Sequence, residues 1–235
     1  SGPQLVRNDT TRATIGVDTV QNASINVAAN TITYRGLSGS GITVGIEDDG
    51  IDAVHSDFAT NLAVDIPAVG DHGTHVAGIV AASGFQSSRN DALGNPNGGT
   101  LFQWRGVAPA AQLIDSNNLT TTATVLAATR DNSLDVSNHS AYALGPLDGA
   151  YRSQPQVVDK MIRGGATSDG IKVPRRSQVY AAGNNGTTPQ FSNQFDYFSI
   201  DNQLKNAINV GNWNAVNNRL SNGSSLGPAH DGRIK

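Results

Sequence analysis

The stretch Asp71-His72-Gly73-Thr74-His75-Val76-Ala77-Gly78 places two histidines at the start of a run of alanine, glycine and valine. The run predicts a helix over residues 72–82, whose glycines allow another backbone to approach closely. His72 would project from the start of this helix toward the end of a strand. A single histidine at such a position is more often structural than functional, so its meaning depends on the sequence around it.

Outside this helix, short apolar runs alternate with helical patterns. Strands are predicted at 42–46, 111–115, 134–137, 177–182 and 207–212, and further helices at 122–129 and 157–162. Such alternation is typical of βαβ units, and therefore of an α/β fold with a parallel sheet covered on both faces. Ligands of these sheets bind beyond the carboxyl ends of the strands, so polar residues at strand ends are the first functional candidates.

The remaining segments carry weaker patterns. Residues 19–29 have apolar side chains near helical spacing, which predicts a helix before the Gly/Ser turn at 36–41. The stretch at 84–106 is a long loop rich in Asn, Gly and Ser, which we interpret as a surface insertion or an ion-binding loop. The pattern shows no internal repeat and no domain linker.

The composition fits a globular protein and disfavours several partners. The 235 residues carry a net charge of −3 with a pI near 5.9, so neither nucleic acid nor an anionic membrane is expected to bind. No apolar run reaches the roughly 18 residues that a membrane-spanning helix needs. The lack of cysteine excludes a disulfide framework, a thiolate nucleophile and a Cys-ligated zinc site, but does not distinguish the cytosol from the cell exterior.

Three polar residues near predicted strand ends carry possible chemistry. Asp48 follows the strand at 42–46, His72 starts the helix described above, and Asn184 follows the strand at 177–182. A carboxylate that holds one imidazole nitrogen leaves the other free to take a proton from a hydroxyl, as a serine nucleophile requires. A side-chain amide can donate a hydrogen bond to a developing oxyanion, although Asn-Gly sequences are also common turns.

Together the three blocks resemble the subtilase family, the subtilisin-like serine proteases. Residues 44–52 match the family's aspartate block, with Asp48 at the catalytic carboxylate. Residues 72–78 match H-G-T-H-V-A-G without change, and the first residue of that block is the catalytic base. Residues 181–186 match A-A-G-N-x-G, with Asn184 at the oxyanion position. The resemblance implies a three-layer subtilisin-like fold, with a mostly parallel central sheet and helices on both faces.

Further matches extend the resemblance over nearly the whole chain, at 36–41, 55–58 and 106–109. Residues 138–142 are similar to the N-x-S-x-G segment whose backbone pairs with substrate, and residues 181–183 to the segment that lines the pocket for the side chain before the scissile bond. The residues that the resemblance implies to contact substrate are Ser140, Ala141, Tyr142, Ala181, Ala182 and Gly183.

Two positions depart from the family pattern. Asp49 stands where the family usually has Ser or Thr, so three acids run consecutively from Glu47 to Asp49. The Asp-x-Gly register and the alternation of a strand both favour Asp48 as the catalytic residue. Tyr142 replaces the usual Gly beside the substrate strand, so the pattern does not define the shape of the cleft.

The nucleophilic serine of the expected triad is not evident in residues 1–235. Ser225 lies in a segment similar to the family's G-T-S block, but glycine and proline in the ten residues that follow it exclude the helix this block requires. Residues 224–235 better resemble a family segment upstream of the serine. We therefore expect residues 1–235 to be a catalytic domain that is incomplete at its C-terminus, inactive alone, and able to pack against its own missing C-terminal segment.

The resemblance implies a secreted or extracytoplasmic bacterial endopeptidase that acts on polypeptides without a catalytic cofactor. Structural calcium is a further expectation, with oxygen ligands from Asp57 and the loop at 90–100. Two other interpretations stay open, a catalytically dead pseudoprotease or peptide-binding scaffold, and a metallohydrolase that uses His72, His75 and nearby aspartates. His75 itself is expected to pack and form hydrogen bonds inside the domain.

Overall fold

The computed structural model describes residues 8–64, 69–116, 122–131, 133–140, 150–186, 204–214 and 217–227. Its α-helices are Asn8–Thr14 (α1), Val17–Gln21 (α2), Asp71–Ala81 (α3), Thr122–Asp131 (α4) and Ser153–Ile162 (α5), and a 3-10 helix covers Ser56–Phe58. Its strands are Ala23–Asn26 (β1), Thr31–Tyr34 (β2), Thr43–Glu47 (β3), Leu62–Val64 (β4), Gln112–Asp115 (β5), Val136–His139 (β6), Thr167–Ser168 (β7), Ile171–Lys172 (β8), Ser177–Ala181 (β9), Ile208–Val210 (β10), Trp213–Asn214 (β11) and Arg219–Leu220 (β12).

The centre of the fold is a six-stranded sheet in the order β10-β9-β6-β3-β5-β4. Every pairing within it is parallel. Five of its strands coincide with predicted strands to within two residues, and β4 is the strand that the sequence pattern did not reveal. The predicted α/β fold with a parallel central sheet is confirmed.

Helices cover both faces of this sheet. On one face, Val44 and Ile46 of β3 pack with Val76 and Ala77 of α3 in one apolar cluster. On the other face, Tyr180 of β9 packs in a second cluster with residues of α4 and α5. The alternation of side chains along each strand separates the two clusters, so the three layers follow from the period of two in the strands.

The face that carries α3 is covered over only part of its width. The strand register places Val179 and Ile208 on the same face as Ile46, and Val210 beside Ala181. Ile46 is fully buried under α3, whereas Ile208 and Val210 are 58% and 51% exposed. Because β10 is an edge strand, this apolar exposure lies at one side of the sheet, where the strands of a parallel sheet are ordinarily covered by further structure.

One buried carboxylate organises the edge of the sheet at β10. Asp159 of α5 is fully buried. It accepts hydrogen bonds from the Tyr151 hydroxyl at 2.7 Å and from the backbone amides of Lys205 and Asn206 at 2.8–3.0 Å. A buried carboxylate is stable only when it is hydrogen-bonded in this way. Asp159 therefore fixes the segment that leads into β10 against α5.

The prediction of a helix over residues 19–29 is wrong. The helix ends at Gln21, because Asn22 adopts a left-handed conformation with φ 45° that closes it. Ala23–Asn26 then pairs with Thr31–Tyr34 as an antiparallel hairpin. The apolar residues of this segment satisfy helical spacing by chance, and the turn-forming asparagines decide the local structure.

The long loop at 84–106 is tied to the N-terminal helices by buried polar contacts. Arg105 donates to Gln21 Oε1 at 2.8 Å and to Asp18 Oδ1 at 2.7 Å, and Arg12 donates to the same carboxylate at 2.9 Å. Both guanidinium groups are at least nine-tenths buried. The loop is therefore an integral part of the fold, joined to a segment that precedes the β3 strand.

Candidate active site

The structure brings Asp48 and His72 together at the carboxyl end of β3. Asp48 directly follows β3, and His72 is the second residue of α3. Asp48 Oδ1 lies 2.7 Å from His72 Nδ1. Since β3 lies inside the sheet and α3 packs against it, both side chains stand on rigid elements, as a site that requires defined geometry does.

The two partners differ sharply in exposure. The Asp48 side chain is 3% exposed and that of His72 is 57% exposed. Asp48 Oδ1 also accepts the backbone amide of Asp49 at 2.9 Å, so this oxygen is fixed by two hydrogen bonds. A carboxylate that accepts a hydrogen bond from Nδ1 selects the tautomer in which Nε2 carries a free lone pair. The arrangement presents a proton-accepting nitrogen to a reactant in solvent.

The first residues of α3 are attached to the turn that follows β3. Asp49 Oδ1 accepts the amide of Gly73 at 2.6 Å, and Thr74 Oγ1 accepts the amide of Asp52 at 2.8 Å. A side chain at position 73 is not tolerated, because its Cβ would lie 2.3 Å from Gly50 O. The Gly-Thr pair after His72 is thus explained by the close approach of helix and turn.

Asn184 is exposed just beyond β9, on a turn that hydrogen bonds from Ser225 hold in place. Ser225 donates its amide to Gly183 O at 2.9 Å and accepts the amide of Asn185 on its hydroxyl at 3.0 Å. Ser225 is 3% exposed, so its hydroxyl supports the turn. Gly186 approaches the same segment so closely that a Cβ would lie 2.2 Å from Ser224 O. The Asn184 amide therefore stands on a fixed backbone at the carboxyl edge of the sheet.

The residues that the sequence implied to contact substrate lie along this same edge. Ser140 directly follows β6, is half-buried, and its hydroxyl accepts from Asn138 Nδ2 at 2.9 Å. Residues 181–183 end β9 and lead into the turn of Asn184. Ala141 and Tyr142 lie outside the described residues. Because β6 and β9 are neighbours and parallel, their carboxyl ends form adjacent walls beside the Asp48–His72 pair.

Sequence reasoning missed a row of buried polar side chains at the carboxyl ends of these strands. Glu47, His139 and Tyr180 stand in register on β3, β6 and β9 and are at most 5% exposed. The His139 ring stacks on Tyr180 at 3.9 Å, and its Nε2 lies 2.7 Å from Gln178 Oε1. Glu47 Oε1 accepts the Ser137 hydroxyl at 3.3 Å. One signal was available, since Glu47 is the sole glutamate of the sequence.

Burial determines the protonation of this row. Burial raises the pKa of Glu47 to about 7, and the serine hydroxyls nearby offset only part of that effect. Burial lowers the pKa of His139 to about 4, opposed by its hydrogen bond to Gln178. Burial, with the Glu47 carboxyl close by, also raises the pKa of Tyr180. At neutral pH the histidine and the tyrosine are uncharged, and Glu47 is near the midpoint of its titration.

Glu47 should make the protein less stable as the pH rises. Below about pH 4.5 the carboxyl is protonated in both the folded and the unfolded states. Between that pH and about 7 the unfolded state loses its proton first, so stability falls and the loss is complete above pH 7. A shift of this size corresponds to about 3 kcal/mol. The lowered pKa of His139 acts in the opposite sense over the same range, because the unfolded state takes up that proton first as the pH falls. We therefore expect Glu47→Gln to increase the unfolding free energy at pH 8 relative to that at pH 4 by about 3 kcal/mol compared with wild type, which urea unfolding at the two pH values measures.

Asp131→Asn, an exposed change, is the control and should leave the pH dependence in place. Because the chain has one glutamate, its ¹³C carboxyl resonance reports the titration directly. A midpoint near that of a free glutamate, or an unchanged pH dependence in Glu47→Gln, would contradict this assignment.

His75 differs from its expected role inside the domain. It is exposed and lines a cavity of about 270 Å³ with His55, Phe58 and Trp104. The side chain that was expected to pack therefore lies at a surface pocket beside α3, one helical turn from His72.

The described residues contain one cluster whose geometry would suit a metal ion. Asp48, Asp49 and His72 each place one candidate atom within 4.8 Å of the others. Asp48 is hydrogen-bonded to His72 Nδ1 and Asp49 to the amide of Gly73. These contacts indicate that the two carboxylates position the imidazole and the start of α3. Asp57, expected to bind calcium, accepts the Ser83 hydroxyl and the Gln86 amide on Oδ1. Structural calcium stays a prediction.

A parallel α/β sheet carries at its carboxyl edge a buried carboxylate that orients an exposed imidazole. The family model described as the subtilase family matches residues 39–235, and the chain belongs to this family.

Solved structures of subtilisin-like proteases share the fold. Sphericase is 22% identical over 90% of this chain and 65% of its own, with a TM-score of 0.52. MycP1 with its N-terminal propeptide removed is 18% identical over 94% of this chain and 67% of its own, at 0.55. The serine protease of Aeromonas sobria is 23% identical over 83% and 36%, at 0.53. The chain thus spans between about a third and two thirds of the length of these proteins.

None of the helices in the described ranges has the length and apolarity needed to cross a bilayer.

Proposed function

We propose that the intact protein is a serine endopeptidase in which His72 is the general base. The observation that carries this proposal is the 2.7 Å contact between the buried Asp48 carboxylate and Nδ1 of an exposed imidazole. A serine hydroxyl attacks the peptide carbonyl while His72 Nε2 takes its proton and then returns it to the departing amine. Water releases the acyl group by the same proton path. Asp48 holds the tautomer and stabilises the imidazolium.

The nucleophilic serine is proposed to lie beyond residue 235. Ser225 is a poor candidate, because its hydroxyl is buried and accepts the amide of Asn185. The exposed apolar side chains of Ile208 and Val210 on the edge strand β10 provide a second argument. A helix that covers this surface would start at the carboxyl edge beside Asn184, where the family pattern requires the serine. Residues 1–235 are accordingly proposed to be an incomplete catalytic domain, inactive by itself.

The polypeptide substrate is proposed to add as a strand along the edge that begins at Ser140. Its carbonyl would then face Asn184, whose amide donates to the oxyanion, and the side chain before the scissile bond would lie against residues 181–183. The braced turn at 183–186 supports this role, since an oxyanion donor acts without reorganisation only when its backbone is fixed. We also propose that the protein is secreted or extracytoplasmic, as subtilases commonly are.

A fluorophosphonate probe tests the proposal on the protein as its gene encodes it. An active serine peptidase is labelled at one serine, and peptide mapping should place the label beyond residue 235. Residues 1–235 expressed alone should remain unlabelled and should not cleave a casein substrate. An intact protein that binds peptides but is neither labelled nor active would instead be a peptide-binding scaffold, and loss of activity with a chelator alone would indicate a metallohydrolase.

Asn184→Ala should lower kcat by about 10²–10³-fold with little change in KM, because an oxyanion donor acts on charge that develops only in the transition state. Steady-state kinetics on a peptide amide substrate measures this. Asn206→Ala, an exposed change at the opposite end of the sheet, is the matched control. A large rise in KM at constant kcat would assign Asn184 to substrate binding instead.

A further inference from the structure

We propose that Asp49 is a positioning residue that fixes the start of α3 and thereby holds His72 in reach of Asp48. This inference rests on the proposed function for its catalytic consequence. Asp49 occupies a position where the family usually has Ser or Thr, and its carboxylate is half-buried beside the Asp48–His72 pair.

The first turn of α3 lacks a cap from its own chain segment. Gly70 is the N-cap residue and has no side chain to accept the amides that the first turn leaves free. Asp49 takes this place from the end of β3, because its Oδ1 accepts the amide of Gly73 at 2.6 Å. A short charge-assisted bond at the positive end of a helix is among the stronger hydrogen bonds of a fold.

Packing shows that the carboxylate is seated on the helix rather than merely near it. A Cβ built on Gly70 would lie 1.9 Å from Asp49 Oδ1, and one built on Gly73 would lie 2.9 Å from the same atom. Gly70 has φ −115° and ψ 137°, a backbone that any residue adopts, so the requirement for glycine comes from the Asp49 side chain. Asp49 and the two glycines form one packed unit.

This unit has a direct consequence for His72. Asp48 accepts from the imidazole of His72, and Asp49 accepts from the backbone of Gly73. Two consecutive residues of the turn after β3 therefore hold two consecutive residues of α3. Loss of the hydrogen bond between Asp49 and Gly73 would let the start of α3 move relative to the sheet while the fold is kept. A displacement of about 1 Å in a catalytic group can lower turnover about 100-fold.

The first test compares two substitutions of Asp49 in the intact protein. Asp49→Ala should lower kcat by about 10- to 100-fold with KM within about twofold. Asp49→Asn keeps an oxygen acceptor for Gly73 and should stay within about threefold of wild type. The control is Asp71→Asn, which removes the neighbouring exposed charge of α3 and should change kcat less than twofold. Equal losses in the Ala and Asn variants would overturn the positioning role.

A second variant approaches the same contact from the helix. Gly70→Ala should expel the Asp49 carboxylate and reproduce the kinetics of Asp49→Ala. The double variant should be no worse than either single one, because both remove the same contact. Losses that multiply would show that Asp49 acts through something other than the start of α3.

A spectroscopic readout separates failure of this inference from failure of the proposed function. The Nδ1 proton of His72, bonded to Asp48, should give a far-downfield proton resonance in wild type and Asp49→Asn, and a weaker one with faster solvent exchange in Asp49→Ala. If the intact wild type has no peptidase activity, the proposed function fails, yet this comparison still decides the role of Asp49. An equal resonance in all three proteins would refute the positioning role.

Discussion

His72→Ala should abolish peptide hydrolysis by the intact protein, with kcat lowered by roughly a millionfold. Removal of the base leaves the serine hydroxyl with no group to take its proton, and members of a triad act as a unit, so loss of one costs nearly as much as loss of all. Initial-rate measurements and active-site titration detect this loss. The substitution also removes one of the two hydrogen bonds of the buried Asp48 carboxylate, so we expect the free energy of unfolding to fall by about 1–3 kcal/mol while the fold is kept.

His75→Ala is the matched control. It removes an imidazole from the same helix one turn away, where the side chain is exposed at a separate cavity, and should retain peptidase activity within about threefold. Undiminished hydrolysis by the His72 variant, or an equal loss in both variants, would contradict the assignment of His72 as the base.

Asp48→Asn should lower kcat by about 10⁴-fold while the fold is kept. The amide that replaces the carboxylate presents a donor to Nδ1, so the imidazole adopts the opposite tautomer and carries its proton on Nε2. That nitrogen then cannot accept the proton of the serine. Kinetics should show the loss in kcat, and circular dichroism should show an unchanged fold.

Asp71→Asn is the matched control for Asp48→Asn. Asp71→Asn removes an exposed carboxylate adjacent to His72 without touching Nδ1 and should leave kcat within about twofold. A loss in Asp48→Asn no larger than that of Asp71→Asn would show that the general charge around the helix, and not the tautomer, governs the reaction. Full activity in Asp48→Asn would remove Asp48 from the site.

The sequence predicted the parallel sheet well, because its strands and helices alternate and are separated by turns. It also predicted that Asp48, His72 and Asn184 would lie at strand ends or helix starts, which is where the structure places them. These predictions depend on local patterns. The helix over residues 19–29 failed for the same reason, since a local apolar spacing carried no information on the left-handed turn at Asn22.

Local sequence patterns could not predict the buried row of Glu47, His139 and Tyr180. Each residue is polar and stands at a strand end, so each alone suggested a turn or a surface position. Strand order decides that the three are neighbours, and residues of α4 and α5, far away in the sequence, pack with Tyr180. Burial then sets the pKa of Glu47 and His139, which no residue type determines by itself.

Residue types at short spacings were sufficient to identify the family of this chain and the α/β alternation, and to propose a base with its carboxylate. The folded structure was needed to show how the start of α3 is held, since Asp49 meets Gly70 and Gly73 through the crossing of two segments, and to show that Ile208 and Val210 are exposed on the edge strand. The physical reason is that hydrogen-bond geometry and burial arise from contacts between distant segments, and such contacts exist only in the folded chain.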